Sequence, residues 1–323
     1  MTFSIIIPVY NGGRFLERTI QSALSQTRKA NEILVYYDNS SDNSYSICEK
    51  YLSEIKYVKN NTGPSGFVRS WNQAITHSKS DFITILHQDD ILYSTFLEEA
   101  EKTFLKYPDS RHLFVLCDYI DTLDNITISG NEVKKTGKYL ENSYVFSGNK
   151  YVEAYQKKYG KIPHVHRCPG VVTHRSIFEM GCSFNENAGH IADDDFFYRV
   201  GQYTDVIGLM TTLSAYRIHK ESETGKLKEV DMTRKLAKDY LYQIGQWQKS
   251  DFIDVKGKYY FEYWFLKYLT RLTYYSFKFN DLQLKMESQD LYYIFRNHRL
   301  NGTHVFLRIK LFIALMLARL TVK

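Results

Sequence analysis

The sequence predicts an α/β fold of Rossmann type, in which a mainly parallel sheet carries helices on both faces and a helical region follows. Three observations support this. Short β-branched runs alternate with stretches of helical spacing from the N-terminus onward. Polar, turn-rich clusters close the runs, as they do at the carboxyl edge of parallel strands, where ligands bind. From Glu229 the chain turns Tyr-, Lys- and Leu-rich, with almost no Gly or Pro until Gly302. We therefore expect an α/β domain over residues 1–228 and a helical region over 229–323.

The opening run Phe3 to Val9 is a buried strand closed by Tyr10-Asn-Gly-Gly13. A helix follows from Arg14 to Gln26, with Phe15, Leu16, Thr19, Ile20, Ala23 and Leu24 near helical spacing. Glu32 to Tyr37 is a second strand ending in the turn-rich Asp38 to Ser44, and a helix runs from Tyr45 to Leu52. The pattern repeats with a strand at Ile55 to Val58, a loop at Asn60 to Ser65, and a helix at Phe67 to Ser78. A strand at Asp81 to Leu86 runs into His87-Gln-Asp-Asp90, and a helix is expected over Ile91 to Tyr107. Alternation of this kind implies right-handed crossovers. No internal repeat points to a solenoid.

With 323 residues the chain can bury a sizeable core, and a net charge of +6 favours anionic partners weakly. Nucleoside diphosphates and acidic lipid headgroups fit that balance; nucleic acid calls for a denser basic footprint. Cys48, Cys117, Cys168 and Cys182 are widely spaced without a C-x-x-C pair, which suits a reducing cytoplasm better than a disulfide framework or zinc site. The first apolar run lacks the features of a signal peptide. Leu311 to Ala318 falls short of the roughly 20 residues a spanning helix needs.

Four clusters carry chemistry. Asp38 ends a strand, where it can accept from a nucleobase or ribose, or cap the next helix. Asp89 and Asp90 follow an apolar run, where paired carboxylates call for neutralisation by a hard cation or for solvent at a helix start. Asp193, Asp194 and Asp195 open another helical stretch; their mutual repulsion suits a general base, and the helix dipole accounts for them equally well. His219 is a candidate metal ligand or a structural histidine, with Arg217 and Lys220 beside it able to meet phosphate charge.

Taken in order, these segments resemble glycosyltransferase family 2, whose nucleotide-binding domain has the GT-A fold. The resemblance runs from about Phe3 to Thr224. It rests on Ser4-Ile-Ile-Ile-Pro-Val-Tyr-Asn11, Tyr37-Asp-Asn-Ser-Ser-Asp42, Asn61-Thr-Gly63, His87-Gln-Asp-Asp90, Ala192-Asp193 and Tyr216-Arg-Ile-His219. It implies that Pro8, Tyr10 and Asp38 hold the nucleobase, with Asn11 beside them in the donor site. Asp89 would bind Mn²⁺ or Mg²⁺ under the diphosphate, His87 would stand in the same segment, and His219 would complete the metal or pyrophosphate site. Asp193, or its neighbour Asp194, would be the base of an inverting displacement, and Arg69 a phosphate contact. The donor expected is a UDP-sugar, the acceptor a hydroxyl of a glycan or lipid-linked glycan in surface polysaccharide synthesis.

This sequence departs from the family pattern at three places. Tyr37 replaces the first Asp of the nucleobase pair, His87 the first Asp of the metal motif, and Ala192 the Glu of the acceptor motif. Val305 to Leu320, with Arg308, Lys310 and Arg319, resembles a helix lying in a membrane interface, on the cytoplasmic face; an apolar helix packed on the enzyme or on a second subunit explains it equally. The residues alone leave two other functions open: a sugar nucleotidyltransferase, and a non-catalytic carbohydrate-binding or scaffold protein on the same fold.

Overall fold

The computed structural model describes residues 1–129, 143–146, 168–223, 225–247 and 255–297. One compact unit holds the residues up to Glu186 together with Asp193–Ser222, and a second holds Asn187–Ala192 with the residues from Glu223 on.

The first unit is built on a sheet. Strands β1 (Phe3–Val9), β2 (Glu32–Tyr37), β3 (Lys56–Lys59) and β4 (Phe82–Ile85) lie parallel in the order β3-β2-β1-β4. All seven residues of β1 are buried, as its place between β2 and β4 requires. Three helices connect these strands: α1 (Leu16–Leu24), α2 (Ser44–Glu49) and α3 (Phe67–His77). The apolar spacing of α1 turns Leu16, Ile20 and Ala23 inward, the burial of Leu16 and of Ile20 contributing about 2 kcal/mol each. α3 likewise buries Val68, Trp71, Ala74 and Ile75.

Beyond β4 the sheet continues through strands that no simple alternation predicts. β5 (Ile91–Leu92) is followed by α4 (Phe96–Lys106), β6 (His112–Ile120), β7 (Ile126–Ile128), β8 (Ser143–Phe146) and β9 (Val171–His174). Then come α5 (Arg175–Glu179), a 3₁₀ segment (Glu186–Ile191), α6 (Ala192–Val200) and β10 (Val206–Arg217). β9 pairs antiparallel with β4 and β6, while β6 and β10 run parallel. The helix expected over Ile91 to Tyr107 starts later, at Phe96. Ile91 and Leu92 instead pair antiparallel with Ala215 and Ser214, which satisfies their backbone groups in the sheet.

The second unit contains α7 (Glu229–Trp247), α8 (Val255–Lys278) and α9 (Leu282–Asn297). Tyr240 on α7 stacks on Trp264 and Tyr268 of α8 at 6.0 and 5.7 Å between ring centroids. The Tyr-rich composition is thus core as well as surface. Asn280 turns the corner into α9 at a φ of 48°, and the Asp281 carboxylate accepts from Leu284 N at 3.0 Å, an N-cap. Among the described residues no helix is long and apolar enough to cross a membrane. The interface helix expected over Val305 to Leu320 lies outside the described residues.

His112 on β6 is fully buried, with Nδ1 2.9 Å from the Thr173 hydroxyl and Nε2 without a partner. Burial pushes its pKa down to about 3. A histidine depressed in the folded state contributes its full stability above the unfolded pKa near 6.5, and loses it as pH falls toward the folded value. Urea unfolding at pH 7.5 and pH 5 should therefore show a smaller acid loss for His112→Phe than for the native chain. The difference has a ceiling of about 1.4 kcal/mol per pH unit.

Candidate active site

Because β1, β2 and β4 are parallel neighbours, their carboxyl ends share one edge, and the segments singled out in the sequence meet there. Asn11 adopts a φ of 53°, with its backbone N donating to Ser40 Oγ at 2.9 Å. Its Oδ1 accepts from Ser41 N at 2.8 Å. Gly12 N donates to Ser44 Oγ at 3.0 Å and Gly13 N to Asp42 Oδ2 at 2.8 Å. Asn11 is thus spent on tying the β1 turn to the β2 turn. The Tyr10 side chain is exposed beside it, and Pro8 lies buried within β1.

Asp38 is buried, and its carboxylate is already shared: Oδ1 accepts from Asn60 Nδ2 at 2.6 Å, and Oδ2 from Ser65 N at 2.9 Å. Asn60 also donates to the Gly63 carbonyl and accepts from Thr62 N. The loop is therefore organised by Asn60, whereas the sequence pattern points to Asn61. Gly63 and Gly66 take φ values of 90° and 85°, which a side chain would strain. Tyr37, in place of the family's first Asp, faces the other way: its hydroxyl donates to Ser40 O at 2.9 Å and its ring packs on Tyr45 and Tyr57.

The His87 to Asp90 loop is held from three sides. The Gln88 amide makes a reciprocal pair with Tyr10, accepting from its N at 2.7 Å and donating to its O at 2.9 Å. A Cβ on Gly12 would collide with Gln88, which explains that glycine. Thr19 Oγ1 on α1 lies 2.9 Å from Gln88 O and 3.0 Å from Asp90 O. The third hold is Arg217, at the end of β10 and 1 % exposed. Its backbone N donates to Asp90 Oδ1 at 2.9 Å, Nε to Asp89 O at 2.8 Å and Nη1 to Asp121 O at 2.7 Å. Asp124 pairs with the same guanidinium, and Phe15 lies beneath it at 4.6 Å. Arg217 is therefore an internal clamp, with Nη2 buried and without a hydrogen-bond partner, whereas Lys220 is exposed.

Two residues expected at a metal site meet directly. His219 Nε2 lies 2.9 Å from Asp89 Oδ2, with the imidazole packed 4.6 Å from the Phe15 ring and its Nδ1 buried without a partner. Among the described residues no group of three or more His, Cys, Asp or Glu is placed to hold a metal ion. One carboxylate and one imidazole suit a divalent cation that draws its remaining ligands from a diphosphate, and do not suit one held by protein alone.

His87 stacks on Trp71 at 5.0 Å, and its Nδ1 stands 3.5 Å from the buried Asp90 Oδ2. Burial opposes the imidazolium, but Asp90, Asp89 and Asp193 outweigh it and raise the His87 pKa. Burial, with Asp89 adding repulsion, raises Asp90 as well. Trp71 packs in turn on Phe184, and Phe184 stacks on Phe196 of α6 at 4.3 Å. That aromatic chain joins the loop to the helix bearing the three aspartates.

Those aspartates differ. Asp195 is buried and bound by Arg199 at 2.6 and 2.9 Å, and burial raises its pKa, with Asp194 adding to the effect. Asp193 and Asp194 are partly exposed, and Asp194 N donates to Asp193 Oδ1 at 2.9 Å, as at a helix start. Ala192 is buried. Arg69 on α3 is exposed and paired with Glu186 at 3.0 Å.

A sheet of this order with acidic and histidine side chains gathered at its carboxyl edge defines an α/β enzyme of the GT-A class. The chain belongs to glycosyltransferase family 2: residues 4–176 match the family model described as "Glycosyl transferase family 2". It is a glycosyltransferase, which sets aside the nucleotidyltransferase and scaffold alternatives. An uncharacterized glycosyltransferase, RT0329 of Rickettsia typhi, is 26% identical over 255 residues, covering 79% of this chain and 75% of that protein. The poly(ribitol-phosphate) beta-N-acetylglucosaminyltransferase TarP of Staphylococcus aureus is 35% identical over 102 residues, 30% of this chain and 31% of its own length. The fold matches the crystal structure of S. aureus TarS 1-349 in complex with UDP-GlcNAc. The TM-score is 0.67 at 14% identity, over 99% of this chain and 91% of that one.

Arg217→Met leaves the carbonyls of Asp89 and Asp121 without their charged donor, while Asp124 keeps its pairing with Arg18. We expect a loss of about 1–3 kcal/mol in denaturant unfolding, the usual cost of leaving a buried acceptor without its donor.

Proposed function

We propose that this glycosyltransferase moves a sugar from a UDP-sugar to a hydroxyl of a cell-surface glycan, with inversion at the anomeric carbon. The observation that carries the reading is the Asp89–His219 contact at the same sheet edge as the Asp38 loop, with His87 of the same segment feeling the charge of Asp193. The TarS complex with UDP-GlcNAc, the activity in TarP's name and the similarity to chondroitin synthase of Pasteurella multocida, 28% over 203 residues, support the donor and acceptor classes.

On this reading Pro8, Tyr10, Asn11 and the loop fastened by Asp38 shape the nucleobase end of the donor site. Asn11 acts through the turn it ties, and Tyr10 offers an exposed ring. Asp89 and His219 hold Mn²⁺ or Mg²⁺, whose chemistry is to neutralise the departing diphosphate. His87, stacked on Trp71 beside Asp90, stands in the same segment of the donor site. Arg69 reaches a phosphate only by leaving Glu186. The Asp193 carboxylate, with Asp194 as the neighbouring alternative, takes the proton of the acceptor hydroxyl. That oxygen bonds to the anomeric carbon as the bond to the diphosphate oxygen breaks, and UDP leaves.

Release of UDP from UDP-N-acetylglucosamine and UDP-glucose, with water as the acceptor, makes the test independent of the natural acceptor. Asp193→Asn should lower kcat by about 10²–10⁴-fold with little change in donor KM, the usual contribution of a general base. If the native chain releases no UDP from either donor, the donor assignment is wrong. Asp89→Asn should abolish the Mn²⁺-dependent rise in melting temperature produced by UDP; an unchanged rise removes Asp89 from the metal site.

A further inference from the structure

The chain passes through the helical unit immediately before the proposed base. Residues Asn187–Ala192 cluster with the helices, and Asp193 is the first residue of the returning chain. Within that short passage Gly189 adopts φ 57° and ψ −128°, a kink that interrupts the 3₁₀ segment. A regular helix ladder cannot hold such a kink, so its geometry depends on an outside partner.

That partner is Asp239 on α7. Its Oδ2 accepts from His190 N at 2.9 Å and lies 3.7 Å from His190 Nδ1. Gly189 lets the carboxylate come this close, because a Cβ there would stand 2.6 to 2.8 Å from its three terminal atoms. The far side of the imidazole, Nε2, faces Glu223 at 3.7 Å. A carboxylate accepting from a main-chain N–H makes a stronger bond than a neutral acceptor does. The grip falls three residues ahead of Asp193 and uses a side chain of the helical region, to which the resemblance assigns no role.

We propose that Asp239 is a positioning residue for sugar transfer: through His190 N it fixes the kink at Gly189, and so the entry of the chain into the turn that presents Asp193. The proposal rests on Asp193 as base. It gives the helical unit a part in the reaction without any contact to the reacting atoms. A displacement of about 1 Å at a reacting group can lower a rate 10²-fold, so loosening this grip should appear in kcat.

The test uses the full-length chain and UDP release from the UDP-sugar that the native chain turns over. Asp239→Ala should lower kcat by at least about tenfold while leaving donor KM and the UDP-induced rise in melting temperature unchanged. Asp239→Asn, which keeps an oxygen for His190 N, should restore most of the rate. Gly189→Ala reaches the same contact from the other side and should show the same split, which keeps the test available if Asp239→Ala does not fold. A kcat within twofold of native in either Asp239→Ala or Gly189→Ala overturns the proposal, as does a parallel loss of donor affinity or a failure of Asn to rescue. Asp193→Asn separates the two readings. If it is inactive while Asp239→Ala is normal, only the positioning role falls; if it keeps native activity, the base assignment falls and the proposal with it.

Discussion

A buried guanidinium organises the reaction end of this enzyme. Arg217 is withdrawn from water at the end of β10, and an isolated charge there is prohibitive unless it is paired and hydrogen-bonded. Nε takes the Asp89 carbonyl and Nη1 the Asp121 carbonyl and the Asp124 carboxylate, Nη2 is left buried without a hydrogen-bond partner, and the backbone N engages Asp90. The network fixes the backbone of Asp89, whose side chain faces His219. The same charge that costs most to bury is the one that aims the proposed metal ligand.

The loops around it follow a similar logic. Gln88 is clasped to the Tyr10 backbone, Asn11 to Ser40 and Ser41, and Asp38 to Asn60 and Ser65, so each polar side chain at the sheet edge holds another loop. Loops fastened to one another in this way are ordered before any ligand arrives, which lowers the cost of ordering them on binding. The aromatic path from His87 through Trp71 and Phe184 to Phe196 extends that rigidity to α6.

Much of the sheet was legible because parallel strands buried on both faces read as continuous β-branched runs, as Phe3 to Val9 does. The strands after β4 were not. Ile91 and Leu92 are too few to show a period, and only their pairing with β10 makes them a strand. The site was legible as a set of segments, and less so as a set of roles. The motif spacing points to Asn61, yet it is the Asn60 amide that reaches the Asp38 carboxylate, from a buried position, while Asn61 is exposed. Arg217 and Lys220 look alike as basic residues flanking His219, and burial separates them. Among the three aspartates of α6, Asp195 is withdrawn by Arg199 one helical turn on, a pairing that the i, i+4 spacing does signal.

Family, fold class and the order of the acidic segments were determined by the sequence itself, because they depend on local periodicity and on which residue types follow which strand. Which side chains touch, and which polar groups serve one another instead of a ligand, was decided by tertiary structure. Contacts such as Asp89 with His219, 130 positions apart, or Asp239 with His190, 49 apart, arise from chain crossings that leave no local pattern. The physical reason is burial: once a polar group leaves water it must take whichever partner the fold brings within reach.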